Sequence, residues 1–292
     1  MLMAQPLLAR LATKYPGSRI DVLAPPWVAP VARRMREVDE VIEADLRHGE
    51  LQLGDRWRLG RRLKERGYAQ AYVLPNTMKS ALAPSFARIP LRAGYLGESR
   101  VGLLNRIHKP GGPREPMTLH YARLAEEPGT ESALPLPFPS IFSSKEKTAA
   151  TALKFGIAGR YTVFCPGAEY GQAKRWPYFR ELAARLDSQI VVLGSASEMK
   201  EAERIPGRNL AGKTTLDEAV DLIAGAAMVV SNDSGLMHVA AATGTPLVAL
   251  FGSSSVVFPA RFLPGIRSAS FISDADPSTT ICESSLAANS RK

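Results

Sequence analysis

The segment best suited to chemistry runs from Ser231 to Ala242 and reads Ser-Asn-Asp-Ser-Gly-Leu-Met-His-Val-Ala-Ala-Ala. It follows the apolar stretch 226–230, so the pattern predicts a strand, a tight turn and a helix. The turn would direct the unpaired N–H groups of Ser234, Gly235 and Leu236 beyond the strand end, where the helix dipole adds partial positive charge. This combination favours phosphate binding. An ordinary capped helix of an α/β protein is the alternative interpretation.

A second candidate is the loop after the predicted strand Tyr161–Cys165, which begins Pro-Gly-Ala-Glu at 166–169. Lys174 and Arg175 come just before Pro177, and proline favours the first position of a helix. Two cations there would add to the positive end of that helix, a conflict that a bound anion would resolve. Two solvent-facing charges on a loop are the alternative.

Other candidate residues have weaker signals. Glu198 follows the next predicted strand and could reach a ribose, although a helix cap explains it equally well. His238 lies one turn inside its helix, where packing is the usual role, and only its nearness to Ser234 and Gly235 makes it a candidate. Zinc, P-loop and Gly-x-Ser-x-Gly patterns do not occur in the sequence, so we expect no metal.

The elements that position these residues alternate between strand and helix, which predicts parallel sheets covered by helices on both faces. Helices are predicted at 2–14, 53–66 and 78–87. Two capping boxes, Ser143 with Glu146 and Thr215 with Glu218, predict the starts of two more.

The alternation restarts after a segment rich in Pro and Ser, which predicts two domains joined by a linker and facing a cleft. We predict a first domain at 1–126, a linker at 127–143, a second domain at 144–267 and a disordered tail at 268–292. Because the chain begins in a helix, we expect the first sheet to lack its first, central strand.

Composition restricts the function classes. The 292 residues are 45% hydrophobic and 22% charged, typical of a soluble globular protein. No apolar run approaches the roughly 20 residues that span a bilayer, and the start lacks signal-peptide features. Two cysteines, Cys165 and Cys282, favour a reducing compartment. We therefore expect a cytoplasmic protein.

The net charge of +9 predicts an anionic partner. Six basic residues crowd 56–66, where a solvated helix face is the simpler interpretation. Lys79, Arg92 and Arg100 lie near predicted strand ends and are better candidates for anion binding. Without interleaved aromatic residues, nucleic acid is not an expected partner.

Together these residues resemble the ADP-heptose:lipopolysaccharide heptosyltransferase family, most closely its type II branch. The resemblance covers about residues 1–255 and is most specific in the second half. The matching segments there are 166–169, 174–177, 209–212, 232–242 and the strand through Phe251 and Gly252. Those in the first half are 73–76, 79–82, 94–95 and 102–105.

The resemblance implies a GT-B fold of two Rossmann-like domains. It also implies an inverting transfer of heptose from ADP-heptose to heptosyl-Kdo2-lipid A, without metal or cofactor. Lys174 would neutralise the diphosphate leaving group and Asp233 would contact donor sugar hydroxyls. The implied donor-binding residues are Gly167, Lys174, Glu198, Asp233, Ser234, Gly235, Leu236 and His238. The implied acceptor-binding residues are Asn76, Lys79, Ser80, Arg92 and Arg100.

The sequence departs from the family at both ends. The family's general base is an Asp in a loop that would lie upstream of Met1, and the sequence after about Val256 does not resemble the family's C-terminal helices. We therefore expect retained donor-site chemistry with poor or no catalysis, in a protein peripheral to the anionic inner face of the inner membrane. The alternative is a catalytically dead or unstable remnant that binds at most ADP or an ADP-sugar.

Overall fold

A computed structural model describes residues 1–47, 49–112, 115–130, 135–168 and 174–251, and the backbone of 266–270. The chain divides into two compact units, Met1–Ile141 and Phe142–Lys292. Every ladder between the described strands is parallel, and helices alternate with the strands. The predicted α/β class with parallel sheets is therefore confirmed. The roles predicted for the two halves stay predictions.

The described residues of the first unit contain five strands in two separate sheets. Its strands are β1 (Asp21–Ala24), β2 (Glu40–Glu43), β3 (Gln70–Val73), β4 (Leu91–Tyr95) and β5 (Arg106–His108). Its helices are α1 (Gln5–Lys14), α2 (Ala29–Ala32), α3 (Leu53–Glu65), α4 (Leu82–Phe86) and α5 (Met117–Ala122), with 3-10 turns at 2–4, 78–81 and 123–125. One sheet pairs β1 with β2, and the other has the order β3-β4-β5.

In the described part of the first unit, no ladder joins β1 to β3. Side chains connect them instead. The Tyr68 hydroxyl donates to the carboxylate of Asp21, and the guanidinium of Arg66 binds both Asp21 and Glu40. The two ladders of the first unit are therefore connected by side chains, and the expected lack of a first, central strand stays a prediction.

The second unit contains one six-stranded sheet with the order β11-β10-β9-β6-β7-β8. Its strands are β6 (Tyr161–Cys165), β7 (Gln189–Val192), β8 (Arg208–Asn209), β9 (Met228–Asn232), β10 (Leu247–Phe251) and β11 (Ile266–Ser270). Its helices are α6 (Lys145–Lys154), α7 (Phe179–Ala183), α8 (Met199–Ala202), α9 (Leu216–Ala224) and α10 (Gly235–Thr243), with a 3-10 turn at 196–198.

The strand order of this sheet reverses between β6 and β9. From β6 the chain moves outward through β7 and β8, then returns to β9 on the other side of β6. Ligands of parallel α/β sheets bind at such a switch point, beyond the carboxyl ends of the strands. Phe164, Val192, Val230 and Leu250 are buried in the core of this sheet and fix those strand ends.

Several local predictions were wrong in their boundaries. Ser144, not Ser143, accepts the capping bond from the Lys147 N–H, because the Ser143 hydroxyl donates to Asp221. The helix expected at Pro177 begins at Phe179. Residues 268–270, predicted to be disordered, pair with β10 as part of β11, and 271–292 lie outside the described residues. The capping box of Thr215 and Glu218 is confirmed.

None of the helices in the described segments combines the length and the apolar character needed to cross a membrane.

Candidate functional site

The start of α10 lies at the switch point, directly after β9. Its N-cap residue, Ser234, makes no side-chain capping bond to the first turn, and its hydroxyl contacts that of Ser231 at 3.2 Å. A Cβ added to Gly235 would meet no heavy atom within 4 Å. The first turn of α10 therefore offers backbone N–H groups and the positive end of a nine-residue helix to an open space.

The amine of Lys174 lies beside the start of α10. Its Nζ donates to Oδ2 of Asp233 at 2.6 Å, and Asp233 is the residue before the N-cap of α10. Both side chains are partly buried, so solvent screens their charges less than on an open surface. The structure thus brings Lys174, Asp233, Ser234 and Gly235 into one place. This arrangement can bind an anion of more than one charge.

Arg175 points elsewhere. Its Nη1 donates to Glu201 at 3.4 Å, and its buried Nε has no hydrogen-bond partner among the described atoms. Since the short helix α7 begins at Phe179, Lys174 and Arg175 do not crowd a helix start, which was the conflict expected from the sequence.

The side chain of Asn232 joins the two strand ends at the switch point. Its Nδ2 donates to the Pro166 carbonyl at 2.7 Å, and its Oδ1 accepts from the Trp176 N–H at 3.1 Å. The side chain is fully buried. Asn232 therefore ties the end of β6 and the segment after Lys174 to the end of β9. Sequence reasoning gave Asn232 no role, although an amide placed directly before Asp-Ser-Gly at a buried strand end was a usable signal.

Glu198 and Gly167 are neighbours across the ends of β6 and β7. The Oε2 of Glu198 accepts from the Ser195 N–H at 2.7 Å in a capping box, so the helix-cap interpretation holds. A Cβ on Gly167 would lie 1.7 Å from Oε1 of Glu198, so the carboxylate held by the capping box occupies the space that a side chain at 167 would need. The carboxylate is thereby fixed at the carboxyl edge of the sheet, where a ribose role stays a prediction.

Two titratable groups, the half-buried His238 and the buried Cys165, flank the start of α10. Burial lowers the pKa of His238, an effect that the Asp233 carboxylate partly opposes, so the imidazole is neutral near pH 7. Burial raises the pKa of the Cys165 thiol to about 12, and the Glu198 carboxylate adds to this rise. Cys165 is therefore a packed thiol rather than a nucleophile.

The acceptor residues predicted in the first unit do not form one group. Asn76, Lys79 and Ser80 lie in the loop after the carboxyl end of β3, and Nζ of Lys79 donates to the Glu50 carbonyl at 3.1 Å. Arg100 supports this loop from within. It is 0% exposed, and its guanidinium donates to the backbone carbonyls of Pro75 and Tyr95. Arg100 is thus buried under the loop rather than available to a ligand.

Arg92 lies at the opposite edge of the same sheet from Asn76, and its acceptor role stays a prediction. It is the second residue of β4, near the amino end of the strand, whereas the loop of Asn76 follows a carboxyl end. Its guanidinium is occupied by the carbonyls of Leu103 and Ile89, each at 2.6 Å. Parallel strands place their amino and carboxyl ends on opposite edges, which separates these residues.

The family model described as glycosyltransferase family 9 (heptosyltransferase) matches residues 56–280. Lipopolysaccharide heptosyltransferase 2 of Escherichia coli (strain K12) is 44% identical over 281 residues, which cover 88% of this chain and 81% of that protein. The chain belongs to glycosyltransferase family 9. It is therefore a transferase, and the predicted heptosyltransferase family is confirmed.

Solved structures of this family agree with the fold. The structure of E. coli ADP-heptose lps heptosyltransferase II superposes with a TM-score of 0.82 and 41% identity, covering 92% of this chain and 86% of that one. An E. coli heptosyltransferase solved with ADP-2-deoxy-2-fluoro heptose superposes with a TM-score of 0.66 and 21% identity, covering 91% of this chain and 88% of that one. At this identity, the similarity shows the fold alone. The predicted GT-B type of fold is confirmed by these neighbours.

Among the described residues of this glycosyltransferase, no group of His, Cys, Asp or Glu side chains could hold a metal ion. The positive charge at the switch point comes from Lys174 and the start of α10. What this arrangement can do chemically is hold and stabilise a negatively charged group that leaves from a donor.

Proposed function

We propose that this glycosyltransferase moves a heptose from ADP-heptose to the heptosyl-Kdo2-lipid A core of lipopolysaccharide. The observation that carries the proposal is the 2.6 Å contact between Lys174 and Asp233 at the start of α10, beside the switch point of the sheet. The names of similar proteins support it, since one is a lipopolysaccharide heptosyltransferase and another was solved with an ADP-heptose analogue.

In the proposed reaction, the bond between the anomeric carbon and the diphosphate oxygen breaks, and its electron pair leaves with ADP. A hydroxyl of the acceptor attacks the same carbon from the opposite face, which inverts the configuration, and its proton passes to a base. Charge on the departing diphosphate is the main electrostatic demand. We assign that demand to Lys174 and to the N–H groups of Ser234, Gly235 and Leu236, with no metal or cofactor.

Other residues have supporting roles in this proposal. Asp233 orients Lys174 and contacts hydroxyls of the donor sugar, and the neutral His238 lines the donor site one turn further along α10. Glu198, held against Gly167, binds the ribose. In the first unit, Asn76, Lys79 and Ser80 contact the acceptor, while Arg100 keeps their loop in place.

The acceptor is a lipid, so we also propose that the protein works as a peripheral protein at the inner face of the inner membrane. The net charge of +9 favours attraction to anionic lipid head groups.

The test is transfer from ADP-heptose to heptosyl-Kdo2-lipid A, followed by mass spectrometry of the lipid. We expect a product heavier by one heptose, and Lys174→Met lowers kcat/KM by about 100-fold or more because the leaving diphosphate loses its cation. Lys213→Met is the matched control, since Lys213 is exposed and its amine contacts the Asn209 carbonyl. ADP binding without product, or equal rates for the two variants, would refute the proposed reaction.

A further inference from the structure

One face of α3 carries an exposed row of apolar and basic side chains. Leu53, Trp57, Arg61 and Lys64 are spaced by four, four and three residues, which places them along one line of the helix surface. We call these four residues the α3 ridge. Leu53 is 52% exposed and Trp57 48% exposed, and Arg61 and Lys64 are also exposed. Two large apolar side chains and two cations are thus exposed together along this line of the helix.

The adjoining face of α3 is packed tightly and holds the helix in place. Leu59 and Leu63 are buried in a core with Ala83 and Ala87 of the neighbouring segment. A Cβ on Gly60 would lie 2.5 Å from the Cβ of Phe86, so the two helices approach as closely as glycine allows. The ridge therefore runs along the border of this packed face and is exposed to solvent.

The chemistry of the α3 ridge fits a lipid bilayer with anionic head groups. The guanidinium carbon of Arg61 lies 5.2 Å from the centre of the Trp57 ring. Tryptophan and leucine favour the boundary between head groups and acyl chains, while arginine and lysine favour anionic head groups. Of the acidic residues of the helix, Asp55 lies off the ridge and pairs with Arg58, whereas Glu65 follows Arg61 by four residues and borders the ridge.

The ridge is continuous with the loop of the proposed acceptor residues. Arg56, buried beneath it, donates from Nε to the Leu51 carbonyl at 2.7 Å and from Nη1 to the Lys79 carbonyl at 2.8 Å. Leu51 and Met78, which flank this junction, are exposed as well. One rigid surface thus joins the ridge to the acceptor loop.

We infer that the α3 ridge docks this protein on the surface of an anionic lipid bilayer. Docking would bring the loop of Asn76 and Lys79 to the head-group level, where a lipid-linked acceptor presents its sugars. The placement of this loop beside the acceptor rests on the proposed function, whereas lipid binding by the ridge does not.

The test is co-sedimentation of the full chain with vesicles of phosphatidylcholine alone or with one-third phosphatidylglycerol. We expect binding only to the anionic vesicles. The variant Arg61→Glu with Lys64→Glu should bind at least about thirtyfold more weakly, since each cation near the surface contributes about fivefold. Lys145→Glu with Lys147→Glu, exposed positions on α6, makes the same charge change and should alter binding by less than about threefold.

Fluorescence gives a second readout that charge alone does not move. Lipids brominated in the upper acyl chain should quench wild-type tryptophan emission, and Trp57→Phe should remove most of that quenching. Equal vesicle binding by the two charge variants, or unchanged quenching in Trp57→Phe, would overturn the docking surface. Thermal melting of each variant shows that it is folded.

A soluble acceptor without acyl chains separates this inference from the proposed function. The ridge variants should transfer heptose to it at the wild-type rate, because none of the ridge residues belongs to the proposed site. If the wild type binds vesicles through the ridge but transfers nothing to either acceptor, the proposed reaction fails and the docking surface stands.

Discussion

Replacing Asn232 by alanine should lower both the stability of the second unit and its affinity for ADP. The substitution removes the partners of the Pro166 carbonyl and the Trp176 N–H, which face the buried amide at 2.7 and 3.1 Å. Leaving a buried backbone group unpaired costs about 1 to 3 kcal/mol, so the pair should cost about 3 kcal/mol of unfolding free energy. In a unit of this size, that lowers Tm by about 6 to 12 °C.

The effect on ADP follows from position. Trp176 lies two residues from Lys174, so freeing its N–H loosens the segment that holds the amine at Asp233. We expect the Kd for ADP to rise by about tenfold or more, measured by titration calorimetry. Asn209→Ala is the matched control, since its Oδ1 accepts a single bond from the Ala211 N–H at 2.9 Å. It should cost about 1 kcal/mol and leave the Kd for ADP unchanged.

Asn232→Asp sharpens this test. A carboxylate keeps the acceptor for Trp176 but opposes the Pro166 carbonyl, whereas the protonated acid can donate to that carbonyl. Burial raises the pKa of such an acid in the folded state, so stability is regained as pH falls through that pKa. The stability difference between Asn232→Asp and wild type should therefore narrow at low pH. If Asn232→Ala melts like wild type and binds ADP equally well, the reasoning about the switch point is wrong.

Three further outcomes follow from the site. Gly235→Ala should melt at or slightly above the wild-type temperature, since a Cβ at this position meets no atom within 4 Å. Calorimetry should nevertheless show weaker ADP binding, because the added methyl group occupies the approach to the N–H groups of the first turn of α10. Burial lowers the folded-state pKa of His238, so protonation of this imidazole destabilises the folded protein as the pH falls. In urea titrations, the free energy of unfolding of His238→Gln should therefore decrease less than that of wild type between about pH 7 and pH 5. Burial raises the pKa of Cys165 to about 12, so this thiol should not react with iodoacetamide at about pH 8 until the protein unfolds. Peptide mass spectrometry would measure the labelling, and rapid labelling of the native protein would contradict the packing of Cys165.

Much of the fold was predictable because its signals are local. Strand β6 has the predicted bounds Tyr161–Cys165, and the strand, turn and helix around Asp233 form as expected, since apolar runs and turn residues mark them directly. The strands β4 and β5 were not predicted. They are short, and they are stabilised by the pairing of β4 with β3 and of β5 with β4, which sequence patterns do not show.

The parts of the candidate site that backbone groups form were predictable from the sequence. The hydrogen-bond partners of its side chains were less predictable. The closeness of Lys174 to Asp233 followed from strand ends that meet at one edge of a parallel sheet. The roles of Asn232 and Arg100 did not follow, because a buried side chain bound to distant carbonyls depends on tertiary contacts. Arg92 does lie near a strand end, but nearness to a strand end in the sequence does not distinguish the amino edge of a sheet from the carboxyl edge.

The central claim is that Lys174 and the start of α10 form a site for two linked phosphates. Its most direct test is calorimetric titration of wild type and Lys174→Met with ADP and with AMP. The claim predicts that wild type binds ADP about 100-fold more tightly than AMP and that the variant loses most of this preference, because only the second phosphate needs the ammonium group. Equal affinity of wild type for the two nucleotides, or an undiminished preference in Lys174→Met, would contradict it.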